Sequence, residues 1–413
     1  MRQLLINAGP IAHLGSNGPI TGHCDDLSKF VYEAGKGILV NDFIIEKIDE
    51  SDSLIEEYSD VPVIDLQGKA LVPGLVDSHT HLLWAGDRSR EISWKLTGLS
   101  YRDIADRGGG ISATVMPTRS ITDRKLAELG LQRMSKSLRN GTTHLETKSG
   151  YGLDTDSELR LLAIAESIAK VPGMPTLDLT WMGAHASPPG VKIEDYVDEI
   201  LSDQLPSIIA QGIARSADVF CEPGWFSVEQ SEEILKQSRN GGLDLRIHVD
   251  EFVDGGGGDL AAELKVQTAD HAHYTNAEAR NSMSKNGVNT GFLPGTPFAM
   301  GDNYPPFEYC IENNLLWSVA SDFNPNCQTL SLPFMGSILV QRNEIPPITA
   351  LAACSVNSAL TTPHPSGLEH GLIKEGAIAN INILNSPWWE SWCLQPGHTP
   401  FHATMLEGQM IYH

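Results

Sequence analysis

Positive charge is scarce in this chain: 29 Lys and Arg stand against 52 Asp and Glu, a formal charge of −23. A surface of that sign cannot neutralise a phosphate backbone or an anionic bilayer, which excludes nucleic acid and membrane as partners and leaves solubility as the simple reading. Cysteine is sparse and scattered. Cys24, Cys221, Cys310, Cys327, Cys354 and Cys393 include no C-x-x-C pair, so neither a disulfide framework nor a thiolate zinc site is indicated, and reduced thiols fit best. No stretch approaches the ~20 apolar residues that span a bilayer. Residues 1–7 have no apolar core of signal-peptide length, so a cytoplasmic protein that starts near Met1 is expected. Internal repeats and low-complexity tracts are also lacking, and neither Gly108-Gly109-Gly110 nor Gly255-Gly256-Gly257-Gly258 has phosphate-loop spacing; flexible loop tips near an active-site mouth account for both.

What is present is an ordinary globular composition, 41% hydrophobic and 20% charged, over 413 residues: two domains, or one large barrel with additions. Residues 4–7, 36–40, 43–48 and 63–66 read as short strands between turns, a small β module over 1–70. From Leu71 apolar strands alternate with amphipathic stretches such as 155–169 and 227–239. Strands are expected at 71–79, 141–148, 177–185, 217–222, 245–251, 268–273, 288–293 and 317–322. Eight βα units predict an α/β protein built on a (β/α)8 TIM-type barrel over 71–365, with its active site at the strands' C-terminal ends. The alternating run at 371–384 returns to strand-like sequence. It pairs in this reading with the N-terminal module, giving a small β-sandwich domain built from both chain ends, 1–70 and 366–413.

The chemistry concentrates at those strand ends. In His79-Thr80-His81 the two imidazoles, one residue apart on an extended chain, point the same way. Such a pair can be accidental, and His248 alone reads as an ordinary core histidine. Yet His248, His271 and Asp322 each sit where an apolar strand gives way to a loop. His79, His81, His248 and Asp322 thus form an N3O set for one Zn or Fe ion per chain, with a coordination position left for water. A divalent ion lowers the pKa of such a water toward ~7, which implies metal-assisted hydrolysis. Glu251, three residues past His248, is placed for general acid/base work, and Asp250 for a structural role in the loop. His271 is a further ligand, a donor that polarises a substrate carbonyl, or a buried histidine. A second metal needs a bridging group; Lys148 lies on the wrong strand, and Glu222 fits a hydrogen-bonded place in the wall better. Arg88 follows the first strand into the loop above the site, where a guanidinium can grip a carboxylate or be merely solvated.

The string Val72-Pro73-Gly74-Leu75-Val76-Asp77-Ser78-His79-Thr80-His81 resembles the amidohydrolase superfamily. Further strings narrow the resemblance to the imidazolonepropionase family: 79–88 with Gly98-Leu99-Ser100-Tyr101, Gly108-Gly109-Gly110-Ile111, Lys148-Ser149-Gly150-Tyr151-Gly152-Leu153, Met182-Gly183-Ala184-His185, Ile247-His248-Val249-Asp250-Glu251 and Ser321-Asp322-Phe323-Asn324-Pro325-Asn326. The resemblance covers nearly the whole chain. It implies metal ligands at His79, His81, His248 and Asp322, and substrate contacts at Arg88, Tyr151, His185, Glu251 and His271. Asn324 matches a position that holds the ring-opened product. It further implies a small anionic substrate, catalysis by Glu251, His271 and Asp322, and a homodimer. The chain departs from the pattern at Asn326-Cys327, also expected at the substrate, where many bacterial members carry Gly-Ser or Gly-Thr, and at Ala379-Asn380, usually Ala-Asp. Rival readings are a purine or pyrimidine deaminase of the same superfamily and a non-catalytic relative that binds partners through its barrel surface. Arg88 with Tyr151 favours an anionic tail over a neutral base, and a non-catalytic relative would have lost ligands that are all kept here.

Overall fold

The computed structural model describes residues 1–15, 18–24, 26–99, 103–104 and 107–413. Eight parallel strands follow one another in chain order around a barrel: Leu75–Asp77, Thr142–Lys148, Thr176–Ala184, Ser216–Cys221, Asp244–Val249, Thr268–His271, Asn289–Phe292 and Trp317–Val319. The first and eighth meet just beyond their ends. A bridge joins Thr80 to Phe323, Asp322 N donates to His79 O at 3.1 Å, His81 N to Phe323 O at 2.8 Å, and Ser321 N to Asp77 Oδ1 at 2.9 Å. These closing bonds carry the residues of interest. His79 and His81 therefore sit on an extended segment past the ladder, not on a regular strand as expected, and keep the same-side geometry that the spacing implied.

Two smaller sheets form the sandwich. One holds Ile44–Glu50, Lys36–Asn41, Arg2–Ile6 and Val63–Asp65. The other holds Gln409–Tyr412, Phe401–Leu406, Ile381–Leu384, Leu71–Pro73, Ile11–Ala12 and Val31–Tyr32, and so draws on both ends of the chain. Their shared core includes Leu5, Ile38, Val40, Ile45, Ile381 and Ile383. The apolar run expected as one strand over 71–79 is in fact two. Leu71–Pro73 pairs with Ile381–Leu384 in the sandwich, and Leu75–Asp77 pairs with Thr142–Lys148 in the barrel. The break falls at Gly74, where a Cβ would lie 2.4 Å from Thr143 Oγ1 and 3.0 Å from Asn380 Cβ, so only glycine passes between the two sheets.

Helices shield the barrel. Thr155–Ala169 begins at Asp154, which accepts from Ser157 N at 2.7 Å, and Val228–Asn240 begins at a Ser227–Gln230 capping box, both close to expectation. Helix Ser51–Glu57 and the two-residue strands Ile11–Ala12 and Val31–Tyr32 were not anticipated. Trp317 on the eighth strand is fully buried against Phe292 and Phe307, and its indole N–H donates to Thr21 O at 3.1 Å, tying the N-terminal segment to the barrel. Burying such a side chain contributes about 5 kcal/mol of transfer free energy. Among the described residues no helix is long and apolar enough to cross a membrane.

Candidate active site and metal centre

Four histidines from three parts of the barrel converge at its C-terminal rim. The ring of His79 lies 5.6 Å from that of His81 and 4.5 Å from that of His248, and His271 stands 5.2 Å from His248. Potential ligand atoms of His79, His81 and His248 fall within 4.8 Å of one another, as do those of His79, His271 and Asp322. The four expected ligands are thus brought together, with His271 as a fifth donor beside them. Asp322 Oδ1 is 3.5 Å from His79 Nε2 and 3.9 Å from His81 Nε2, while its Oδ2 accepts from the Thr296 hydroxyl.

The strands below set which nitrogen faces inward. His79 Nδ1 lies 2.7 Å from Asp270 Oδ2, and His248 Nδ1 lies 3.0 Å from Asp218 Oδ1. A carboxylate accepts, so each ring carries a proton on Nδ1 and turns its Nε2 into the site. His79 Nε2 and His81 Nδ1 are buried and have no hydrogen-bond partner among the described residues. Burial, reinforced by Lys148 near His79 and by His185 near His81, lowers both pKa values well below the ordinary histidine value, so both rings are neutral lone-pair donors. Buried lone pairs held by outer carboxylates fit a metal ion.

Beneath the ligands lies a buried layer of charge. Lys148 Nζ is 2.9 Å from Asp218 Oδ2 and 3.0 Å from Glu146 Oε1; Arg246 Nη2 is 3.8 Å from Asp270 Oδ2 and donates to Ser78 O at 2.6 Å. Burial alone would raise the Asp218 carboxyl, but His248 and Lys148 beside it hold it well below the usual carboxylate range. Asp218, Asp270, Glu146 and Arg246 had drawn no role from the sequence, and Lys148 only a rejected one. The available signal was a charged residue inside several of the apolar strands, as in Ala217-Asp218-Val219.

Above the ligands opens a cavity of about 570 Å³, on whose wall stand Arg88, Tyr151, His185, Glu251, His271 and Asn324. Phe220, Trp225 and Phe252 form an aromatic side with ring separations of 5.0 and 5.5 Å. His185 stacks on His81 at 5.2 Å, and its Nδ1 lies 2.8 Å from Gly150 O; burial first, then His248, lowers its pKa to about 4, so it too is neutral. Arg88 is buried, with Nε 2.7 Å and Nη2 2.8 Å from the two oxygens of Glu91, which in turn accepts from Gly110 N at 2.8 Å. The Gly108–110 turn therefore helps set the plane of Arg88.

Glu251 Oε2 lies 3.6 Å from His271 Nε2. Burial, then the nearby Asp322 and Glu222, push its carboxyl well above the usual range. Its loop is anchored from two sides. Glu222 accepts from the N–H groups of Glu251, Phe252 and Val253 at 2.9, 3.1 and 3.1 Å, the wall role expected of it. Asp250 accepts from those of Gly255, Gly257 and Gly258 at 3.0, 3.2 and 3.2 Å. The Gly255–258 run is therefore no flexible tip, as had been expected: a Cβ on Gly257 would lie 2.7 Å from Val249 and one on Gly258 2.5 Å from Thr275, so glycine lets this backbone close around Asp250.

On the far side, the Asn324 amide folds its own loop: Nδ2 donates to Asp322 O at 2.9 Å, and Oδ1 accepts from the N–H groups of Asn326 and Cys327 at 2.7 and 3.2 Å. Asn326 and Cys327 line the same cavity, and burial first, then Asp322, push the Cys327 thiol up to about 12, which leaves it an inert thiol. Ser100 and Tyr101, part of one family-like string, lie outside the described residues.

Solved structures of similar fold include a deaminase and hydrolases. A 5-methylcytosine deaminase from Klebsiella pneumoniae has a TM-score of 0.72 at 16% identity, covering 99% of this chain and 97% of that one. A triazine hydrolase variant has 0.72 at 15%, covering 99% and 94%. An amidohydrolase has 0.68 at 16%, covering 100% and 99%. These likenesses show the fold, a parallel barrel whose C-terminal rim here gathers the histidines. Sequence relatives are more particular. The imidazolonepropionase of Symbiobacterium thermophilum is 36% identical over 410 residues, 97% of this chain and 93% of its own; that of Haloarcula marismortui is 36% identical over 401 residues, 96% and 94%. No family model matches the chain. The chain belongs to the imidazolonepropionase family.

Proposed function

We infer that the protein hydrolyses 4-imidazolone-5-propionate to N-formimino-L-glutamate, a step of histidine degradation. The observation that carries this reading is one cavity bordered by the converging histidines, by the Glu251–His271 pair and by the buried guanidinium of Arg88. In this reading His79, His81, His248 and Asp322 hold one Zn or Fe ion. When bound, such an ion supplies Lewis acidity and a water of lowered pKa.

The chain's own groups do the rest. Arg88, its plane fixed by Glu91, pairs with the propionate, while Tyr151 and His185 line the path that orients the ring. As water attacks the ring carbonyl, Glu251 or Asp322 takes its proton. Neutral His271 donates to the oxygen on which charge develops. The ring C–N bond then breaks, and the proton is delivered to the leaving nitrogen through Glu251, whose carboxyl burial pushes well above the usual range. Asn324, Asn326 and Cys327 shape the side of the cavity that holds the opened product. The resemblance further supports a cytoplasmic homodimer.

Freshly prepared 4-imidazolone-5-propionate, assayed beside a panel of purines and pyrimidines, tests the reading. Turnover of the imidazolone without ammonia from the bases is expected. Deamination of a base with no turnover of the imidazolone would replace it with the deaminase reading.

A further inference from the structure

Outside the barrel, a second cavity of about 590 Å³ lies between helix Asp123–Arg139, the loop after the eighth strand and residues 397–399. Arg133, Lys136 and Arg139 reach it from one stripe of that helix, spaced i, i+3 and i+6. Among the described residues no Asp or Glu lines this cavity, although the chain has 52 of them, and none of the three cations has a carboxylate partner. Two cations in the last turn complement the helix dipole. The dipole accounts for neither the buried Arg133 nor a wall without acids in a chain of net charge −23.

We propose that this cavity binds a compact polyvalent oxyanion, of phosphate or polycarboxylate chemistry, with Lys136 and Arg139 at its mouth and Arg133 at its floor. Burial lowers the Arg133 pKa to about 10, the cost that a nearby anion would relieve. The site is wired to the active site. Arg133 Nη1 donates to Leu82 O at 2.6 Å and Trp84 O at 2.9 Å, and its guanidinium lies 3.9 Å from the centroid of Trp84 and 5.5 Å from that of Phe323. Leu82 directly follows His81, and Phe323 directly follows Asp322. An anion held against Arg133 therefore stiffens both segments that carry expected metal ligands.

Calorimetric titration with inorganic phosphate, and separately with citrate, at fixed ionic strength against a chloride control tests the proposal on the metal-loaded protein. At least one anion should bind and raise the thermal midpoint; which of them does so separates the phosphate source from the polycarboxylate one. In K136A/R139A, two exposed positions away from the catalytic machinery, binding should weaken by about tenfold or more while basal kcat/KM stays unchanged. Binding that survives in the double variant and competes with substrate would place the anion at Arg88 and overturn the proposal. Heats no larger than those of chloride for both anions would overturn it as well.

Discussion

Asp218 is where the fold and the chemistry are most tightly joined, and Asp218→Asn probes the join. Its carboxylate stands 3.0 Å from His248 Nδ1 and 2.9 Å from Lys148 Nζ, all three groups buried. Breaking a buried pair by neutralising one partner costs roughly 3–5 kcal/mol. Glu146 stays 3.0 Å from the same ammonium, and the Asn amide oxygen can still accept, so the lower end, about 3 kcal/mol, is expected for the chelated protein. Metal affinity should suffer separately. An amide that turns its NH2 toward His248 moves the ring proton onto Nε2 and blocks the lone pair; outer-shell changes of this kind cost about 10- to 100-fold in affinity. Competition titration against a chromophoric chelator, beside urea unfolding of the chelated protein, measures both. An unchanged metal affinity would refute the claim that Asp218 sets the tautomer of His248. An unchanged urea midpoint would refute its role in holding Lys148.

Other consequences are open to direct measurement. Glu251→Gln keeps shape but cannot shuttle a proton, so kcat should fall by about 10² to 10⁴ with metal content intact by elemental analysis; near-normal kcat would leave Glu251 a positioning residue. Arg88→Lys keeps charge but loses the fork that Glu91 holds, so kcat/KM should drop by about one to two powers of ten, and Glu91→Gln should move it the same way without touching substrate. A propionate-free analogue should be equally poor for wild type and both variants. Burial lowers the pKa of His370 to about 3 and of His364 to about 4. Unfolded, each binds a proton near 6.5, so the unfolded state takes up more protons and stability falls as pH drops from 6.5 toward those values, by about 1.4 kcal/mol per pH unit for each ring. Urea midpoints of the chelated protein from pH 7 to 5 measure the slope, which His370→Gln should flatten by about one proton; an identical slope would remove His370 as a cause.

Much of this architecture is legible in the sequence because barrel strands announce themselves as short apolar runs, and because His79 and His81 share a side by spacing alone. Periodicity fails where partners change. The apolar run from Leu71 to Asp77 carries no mark of a passage from one sheet to another except Gly74, whose reason is the distant Thr143 side chain. Ile11–Ala12 and Val31–Tyr32 are too short to show any period. The carboxylates that orient the ligands were hidden for a related reason. Asp218 meets His248 and Asp270 meets His79 only through the register of neighbouring strands and the closure of the barrel, which no local pattern encodes. The pair Arg88–Glu91, by contrast, lies three residues apart and was open to discovery from spacing.

The central claim is that water enters at the ring carbonyl and the ring C–N bond breaks. Turnover of 4-imidazolone-5-propionate in 18O-enriched water, with mass analysis of the product, tests it most directly. One 18O in the newly formed carboxylate of N-formimino-L-glutamate, with no ammonia released, is the predicted result; release of ammonia, or a product carboxylate without label, would contradict it.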